Sequence, residues 1–399
     1  MSRSKPQVAV VGAGIGGLAA GIALSRHGIA VDIYEQAAEL REVGLGLHLG
    51  PNASRILHRW GMADALRATA VRPEALEARD HRDGRTLAHQ PMGAAWEDMF
   101  GAPHYTIHRA ALHAALARRV PPRSIHLGRR LCDLRDEGDV LTLTFDDGTT
   151  ARADVLIGAD GVHSVVRGAV FPPTPPVTSG NAAYRGLVAG VDLPRDRILV
   201  WVGPSARLTC YPIDGGRRLT VVAVVPDTDA GSRSATGGLP DISDAFAGWH
   251  RDVAAIVDAL GQPRRWALHD RDPLDSWGTG RVTLLGDAAH PMLPYHGQES
   301  SQAIEDAVAV AHCLAEETAG RPVSADRIAA ALARYEAIRR PHTARVQLES
   351  RRGGSLGMRP TATTDGGVLP CLGEDADWIR RYDVEHELGA LLPAAAAPA

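Results

Sequence analysis

A chain of 399 residues is too long for one hydrophobic core of ordinary size, which predicts two interlocked units with room to enclose a sizeable ligand. Its 45% apolar and 23% charged residues match a folded globular protein and exclude extensive disorder. A formal net charge of -4, from 43 Lys+Arg against 47 Asp+Glu, gives no electrostatic reason for nucleic acid or an anionic membrane as partner.

The cysteines Cys132, Cys210, Cys313 and Cys371 are scattered without a C-x-x-C pair, so no metal site and no dithiol redox centre are expected. No apolar run reaches the roughly 20 residues of a membrane helix, and the chain enters a buried-strand pattern almost at once. The expectation is a soluble, cytoplasmic protein.

The first segment reads strand, glycine turn, helix, strand over residues 8–11, 12–27 and 30–34, a βαβ opening. Its turn satisfies G-x-G-x-x-G with Gly12, Gly14 and Gly17. Gly12 permits the tight turn, Gly14 lets backbone amides approach a pyrophosphate, and Gly17 lets the helix pack closely on the sheet. Glu35 ends the next strand, 21 residues after Gly14, where a carboxylate can accept from a ribose hydroxyl. The triplet and the acid together predict dinucleotide binding.

After Phe171 the prolines Pro172, Pro173, Pro175 and Pro176 mark a crossover and a domain boundary. Residues 181–225 carry strand-like runs, notably 198–202 and 219–225, separated by Gly, Pro and Asp turns, which predicts a largely antiparallel sheet. One helix is expected over 242–260, with Phe246, Trp249, Val253, Ile256 and Val257 on its apolar face. The chain returns to a buried strand at 282–285, stops at Gly286-Asp287, and enters a helix from about Ser301 to Glu317. Beyond Arg352 it is Gly/Thr-rich, weakly helical around 378–388, and ends in an Ala/Pro stretch expected to be disordered.

Three motifs now stand in order: the glycine turn with Glu35, the run DVLIGADGVHSVVR at 154–167 containing Asp160, and GDAAHP at 286–291 containing Asp287. Together they resemble the single-component FAD-dependent aromatic hydroxylases, the family of salicylate hydroxylase and 6-hydroxynicotinate 3-monooxygenase, over roughly residues 7–350. That resemblance implies an α/β fold: a Rossmann-like FAD-binding domain with an inserted, mostly antiparallel β-sheet substrate domain and a helical C-terminal tail. The expected divisions are 1–178, 179–272, 273–350 and 351–399. It also implies that Asp287 holds the ribityl chain, Arg109 contacts FAD and the Leu131 backbone pairs with the adenine. Further FAD contacts are implied at Gly16, Gln36, Leu47, Asp160, Pro294, Gly297 and Ser301, the Asp160 motif being associated with nicotinamide contact as well.

The implied chemistry is reduction of FAD by NADH or NADPH, O2 addition at flavin C4a, and attack of the hydroperoxide on an electron-rich ring, with or without loss of a carboxylate. An ionised ring hydroxyl speeds that attack, so a base belongs in the pocket. His48 and Tyr211 match the substrate-activating positions of the 6-hydroxynicotinate enzymes, and Tyr295 and His296 are further candidates for the substrate pocket. The family's G-Q-G-x-N is altered to Gly297-Gln298-Glu299-Ser300-Ser301, and Glu299 is expected to point to solvent. Open alternatives are an FAD-dependent dehydrogenase or oxidase, which lacks its second dinucleotide fingerprint here, and a non-hydroxylating ligand binder. A homodimer is compatible with the sequence, which does not fix the oligomeric state.

Overall fold

Val8, Ala9, Val10 and Val11 leave no polar face, so the strand they build, Gln7–Val11, has to be covered on both sides. In the computed structural model, which describes residues 5–40, 44–227, 239–261, 263–356 and 376–390, it lies inside a six-stranded sheet. The order is Gly278–Thr279, Val282–Leu284, Val155–Gly158, Gln7–Val11, Ala30–Glu35, Ile125–Leu127. Val8 pairs in parallel with Val31 on one side and Val155 on the other. The glycine turn, the Asp160 loop and the Gly286-Asp287 turn therefore all leave the carboxyl ends of parallel strands, where such sheets bind ligands. The helices Ile15–Arg26 and Glu299–Thr318 pack against each other over this sheet.

The second large sheet has seven strands, ordered Arg264–Asp270, Val177–Val188, Arg218–Pro226, Arg207–Ile213, Arg197–Val202, Ala75–Asp80, Thr86–Pro91. It is antiparallel except where Ala75–Asp80 runs parallel to Arg197–Val202. Two of its strands thus come from the N-terminal part of the chain, a recruitment that no local pattern announces, because strand pairing is decided by partners far away in sequence.

The single helix expected over 242–260 is two, Leu239–Ala245 and Arg251–Ala259. Gly248 at φ +76° interrupts it, and the His250 ring accepts from the Asp252 amide at the start of the second. The 378–388 expectation likewise resolves into Asp377–Arg381 and Val384–Ala390. The Gly/Thr-rich stretch past residue 356 and the Ala/Pro end lie outside the described residues. A helix absent from the sequence reading, Ala325–Leu356, buries Ile328, Ala331, Tyr335, Arg339 and Val346 at helical spacing. No helix among the described residues is long and apolar enough to cross a membrane, and they contain no metal-ligating cluster.

Where that long helix crosses Glu299–Thr318 the core contains charge. Arg339, fully buried, pairs with Asp306 at 2.8 Å and Glu305 at 2.7 Å, and Asp306 also accepts from the Gly286 amide at 3.1 Å and meets His290 Nε2 at 2.6 Å. Asn52 donates to Glu305 and to Gln298, tying in the helix Pro51–Arg59. Removing one member of such a cluster strands the remaining charges away from water, which costs about 3–5 kcal/mol. Arg339→Met is therefore expected to lower the urea midpoint by that equivalent and to weaken FAD retention, because the Gly286 turn loses its anchor. An unchanged midpoint would show that the acids simply protonate.

Candidate functional site

The glycine turn is shaped by close contacts rather than by sequence convention. At Gly12, φ +101°, a Cβ would lie 2.4 Å from the carbonyl oxygen of Ala159, and at Gly17 one would lie 1.9 Å from the carbonyl oxygen of Gly12. Gly14 faces open space and precedes Ile15–Arg26 without any side-chain cap. Its turn thus leaves amide donors at a helix N-terminus for an incoming anion. Gly16 is held tightly for another reason, since a Cβ there would lie 2.6 Å from Leu285.

Glu35 ties the turn to the second strand, accepting from the Ala13 and Ala37 amides, both at 2.8 Å. An elongated cavity of about 540 Å³ starts here, lined by Gly12, Gly14, Gly16, Glu35, Gln36 and Leu131, and runs past Asp160 to Arg109, Asp287, Glu299 and Ser300. Asp160 is largely consumed by its own loop: it accepts from Ser164 Oγ and from the Val165 and Val166 amides, fastening the helix Val165–Val170 to the sheet. Asp287 lines the far part of the cavity, where burial raises its pKa against the opposing pull of His290 and Arg109.

The altered segment behaves differently from expectation. Glu299 does not point to solvent; it opens the helix Glu299–Thr318 and lines this cavity together with a second one. The reason is topological, since the helix starts where the two cavities meet, near Arg109, Arg185 and Asp287. Burial, reinforced by the charge of Asp287 and opposed by Arg185 and Arg109, pushes its carboxyl up to about 7. Ser301 sits one residue beyond Ser300 in this helix. Its side chain is fully buried and faces neither cavity, while Ser300 lines both.

The second cavity, about 920 Å³, lies against the seven-stranded sheet and meets the first at Arg109, Glu299 and Ser300. Met92, Trp96, Ile198, Val200, Val222 and Val224 give it an apolar body. His48, Tyr211, Tyr295 and His296, named from sequence on separate segments, all line it, as do Leu47, Pro294 and Gly297. His48 sits on Gly46–Leu49, which pairs with Tyr105–His108, and its ring centre is 4.3 Å from that of Tyr211. Gly46 makes this approach possible, because a Cβ there would lie 2.7 Å from the Tyr211 ring.

Tyr211 donates its hydroxyl to the Gly46 carbonyl at 2.8 Å, and burial pushes its pKa upward, so it stays a phenol. Burial pushes His48 down to about 4, leaving it neutral near pH 7. His48 Nδ1 lies 3.1 Å from His104 Nε2. Tyr295 accepts from Asn181 at 3.2 Å and lies beneath the Arg207 guanidinium, 4.2 Å away.

Sequence reasoning missed His104, Arg185, Arg207 and Arg380, all of which line this cavity. They belong to no motif. The one available signal was a cation in the middle of a strand pattern, as with Arg185 in Val177–Val188. Arg380 comes from the short C-terminal helix Asp377–Arg381, just ahead of Asp383, which pairs with Arg59 at 3.0 Å.

A cavity that starts at a glycine turn on the carboxyl ends of parallel strands and meets a larger chamber with apolar walls is the arrangement of a nucleotide-cofactor enzyme with an adjoining substrate site. The chain belongs to the FAD-binding domain family, whose model matches residues 5–350, and is an FAD-dependent aromatic monooxygenase. It is 42% identical to 3-amino-4-hydroxybenzoate 2-monooxygenase of Streptomyces cremeus, covering 87% of this chain and 86% of the relative. It is 38% identical to 6-hydroxynicotinate 3-monooxygenase of Pseudomonas fluorescens, covering 96% of each. Among solved structures, a salicylate hydroxylase substrate complex superposes with a TM-score of 0.82 at 29% identity, over 99% of this chain and 100% of that one. Klebsiella pneumoniae HpxO complexed with FAD and uric acid gives 0.81 at 28% identity, over 96% and 95%.

The cavity residues fit FAD: an uncapped helix N-terminus with open space at Gly14 for the pyrophosphate, and carboxylates at Glu35 and Asp287 for sugar hydroxyls. Glu299, ionising near pH 7 where the two cavities join, gives a testable consequence. Below that pH it is neutral; above it, its negative charge disfavours the anionic reduced flavin. Glu299→Gln is expected to match the wild-type reduction potential at pH 6 and to exceed it at pH 8 by about 30 mV, which is about 1.4 kcal/mol for a two-electron couple. Potentiometric titration of the bound flavin at both pH values checks this, and a constant offset would refute it.

Proposed function

We propose that this protein hydroxylates a carboxylated phenol or hydroxypyridine, with NADH or NADPH and O2 as co-substrates. The observation that carries the reading is the placement of neutral His48 against Tyr211 in an apolar chamber that meets the FAD channel at Arg109, Glu299 and Ser300. When bound and reduced by the nicotinamide, FAD supplies the O2 chemistry that delivers one oxygen atom to the ring.

His48 accepts the ring hydroxyl proton. Nδ1 is engaged with His104, so Nε2 is the nitrogen left for the substrate. Tyr211 has its hydrogen committed to Gly46, so its oxygen offers lone pairs to a ring O–H or N–H and orients it. Arg185 and Arg207 supply positive charge for the carboxylate, and the buried Arg185 Nε has no hydrogen-bond partner among the described residues. The apolar walls keep water from the reacting atoms. The cofactor contacts assigned to Gly12, Gly14, Gly16, Glu35, Gln36, Leu131, Arg109 and Asp287 rest on their shared cavity and on the shape of the turn. Those of Leu47, Pro294 and Gly297 rest on lining the chamber beside it.

The relatives' names supply a short substrate panel: 3-amino-4-hydroxybenzoate, 6-hydroxynicotinate and 3-hydroxybenzoate. At least one should stimulate NADH or NADPH oxidation and yield a product carrying one atom of 18O from 18O2, and the product mass separates simple from decarboxylative hydroxylation. With that substrate, His48→Ala and Tyr211→Phe should each lower hydroxylation by about 10²–10⁴-fold while retaining FAD. Peroxide released without product from the wild-type protein across carboxylated phenols and hydroxypyridines would overturn the reading. Asp287→Ala, in contrast, should lose most of the flavin, as measured by the absorbance of the purified protein.

A further inference from the structure

We propose that His104 is the positioning partner of His48: it fixes which ring nitrogen faces the substrate and receives a hydrogen bond when the ring hydroxyl ionises. The inference rests on the reading of His48 as the base and assigns a role to a residue outside every sequence motif.

The geometry is specific. His48 Nδ1 and His104 Nε2 face each other at 3.1 Å, so one proton lies between them. If it belongs to His104, His48 must carry its own proton on Nε2 and presents a donor where a base is needed. If it belongs to His48, Nε2 carries the lone pair. The nitrogen that holds the proton is set by the hydrogen bond the other one makes, so His104 as acceptor creates the base form. On proton transfer the substrate O–H bond breaks, an N–H bond forms at His48 Nε2, and the Nδ1–H of the resulting cation donates to His104 Nε2. That charge-assisted bond is stronger than the neutral one it replaces. The electrons of the broken O–H bond stay on the substrate oxygen.

His104 is held for this task. Its ring packs edge-on against Trp96, with centroids 5.4 Å apart, and the preceding residue is pinned by Ser54 Oγ donating to the Pro103 carbonyl at 2.6 Å. Its own Nδ1 is buried with no hydrogen-bond partner among the described residues, so the contact with His48 is the one polar bond that orients the ring there. Tyr211 faces the pair from the strand Arg207–Ile213 and Arg380 acts on it from Asp377–Arg381, while His296 lines the same cavity. Glu299, at the start of the helix Glu299–Thr318, is the acid among the described residues that line this cavity, and it acts on Tyr211, whereas the shift of His48 comes from burial alone. The charge formed beside protonated His48 on proton transfer is the ionised substrate oxygen, so base and substrate ionise together.

The test uses the FAD-loaded protein and 4-hydroxy-3-nitrobenzoate, whose phenolate is coloured, titrated with pH by difference spectroscopy. His104→Phe keeps the ring shape and removes the acceptor; His104→Gln keeps an acceptor oxygen. For His104→Phe the bound probe should ionise about one pH unit or more higher than in the wild type. Its hydroxylation rate should fall roughly 10- to 100-fold, the scale of outer-shell partners, with KM and FAD content nearly unchanged, and His104→Gln should recover most of both. If His104→Phe does not hold flavin, His104→Met against His104→Gln decides the same point by the same readout. Wild-type ionisation of the probe in the acceptor-free variant overturns the role of His104. His48→Ala separates the two levels: if it also ionises the probe as the wild type does, His48 is no base and the reading beneath this inference fails.

Discussion

Arg339 carries its charge where water does not reach, and the arrangement of both cavities follows from how that charge is met. Its partners Asp306 and Glu305 are adjacent on one helix, so their side chains diverge around the guanidinium instead of sharing one side of it. Each then reaches a different part of the fold. Asp306 takes the Gly286 amide and His290, fixing the turn that presents Asp287, and Glu305 takes Asn52, fixing the helix that follows the His48 strand. Replacing the whole cluster, acids included, by apolar residues of equal volume could match the stability, but it would not orient two turns from one centre.

The same low-dielectric interior sets the protonation of the chamber. With little water to solvate an ion, His48 and His104 are held neutral, Tyr211 remains a phenol and Glu299 sits near its midpoint at neutral pH. Permanent charge is confined to arginines, which resist deprotonation in such surroundings. The chamber therefore combines fixed cations suited to a carboxylate with neutral groups that exchange protons, and the apolar sheet between them gives an aromatic ring its place. Electrostatics and shape select for the same kind of ligand.

The contrast between Asp160 and Asp287 shows how similar motifs come to different work. Both acids follow a parallel strand and both line the cofactor cavity. Asp160 is followed closely by amides and a hydroxyl that satisfy its oxygens locally, so its main effect is to stiffen a loop. Around Asp287 the nearby charge comes from His290, three residues on, and from Arg109, distant in sequence, and neither is a local amide or hydroxyl. Its carboxylate stays directed at the cavity.

The cofactor half of the protein was legible in the sequence because its determinants are local. Gly12, Gly14, Gly17 and Glu35 lie within one βαβ unit, and the contacts that demand glycine there arise between neighbours in the chain or between adjacent strands. Central strands without a polar face likewise announce their own burial. The substrate half was legible only as a list of candidates: His48 and Tyr211 could be named from a resemblance, but their separation of 4.3 Å depends on two sheets meeting at Gly46. The tertiary structure alone decided that strands Ala75–Asp80 and Thr86–Pro91 join the second sheet, that Glu299 turns inward, and that His104 and Arg380 reach the chamber. The physical reason is the range of the constraint. Turn sterics and strand patterning act over a few residues, whereas a shared cavity is enclosed by segments that loop closure brings together only after the whole core has packed.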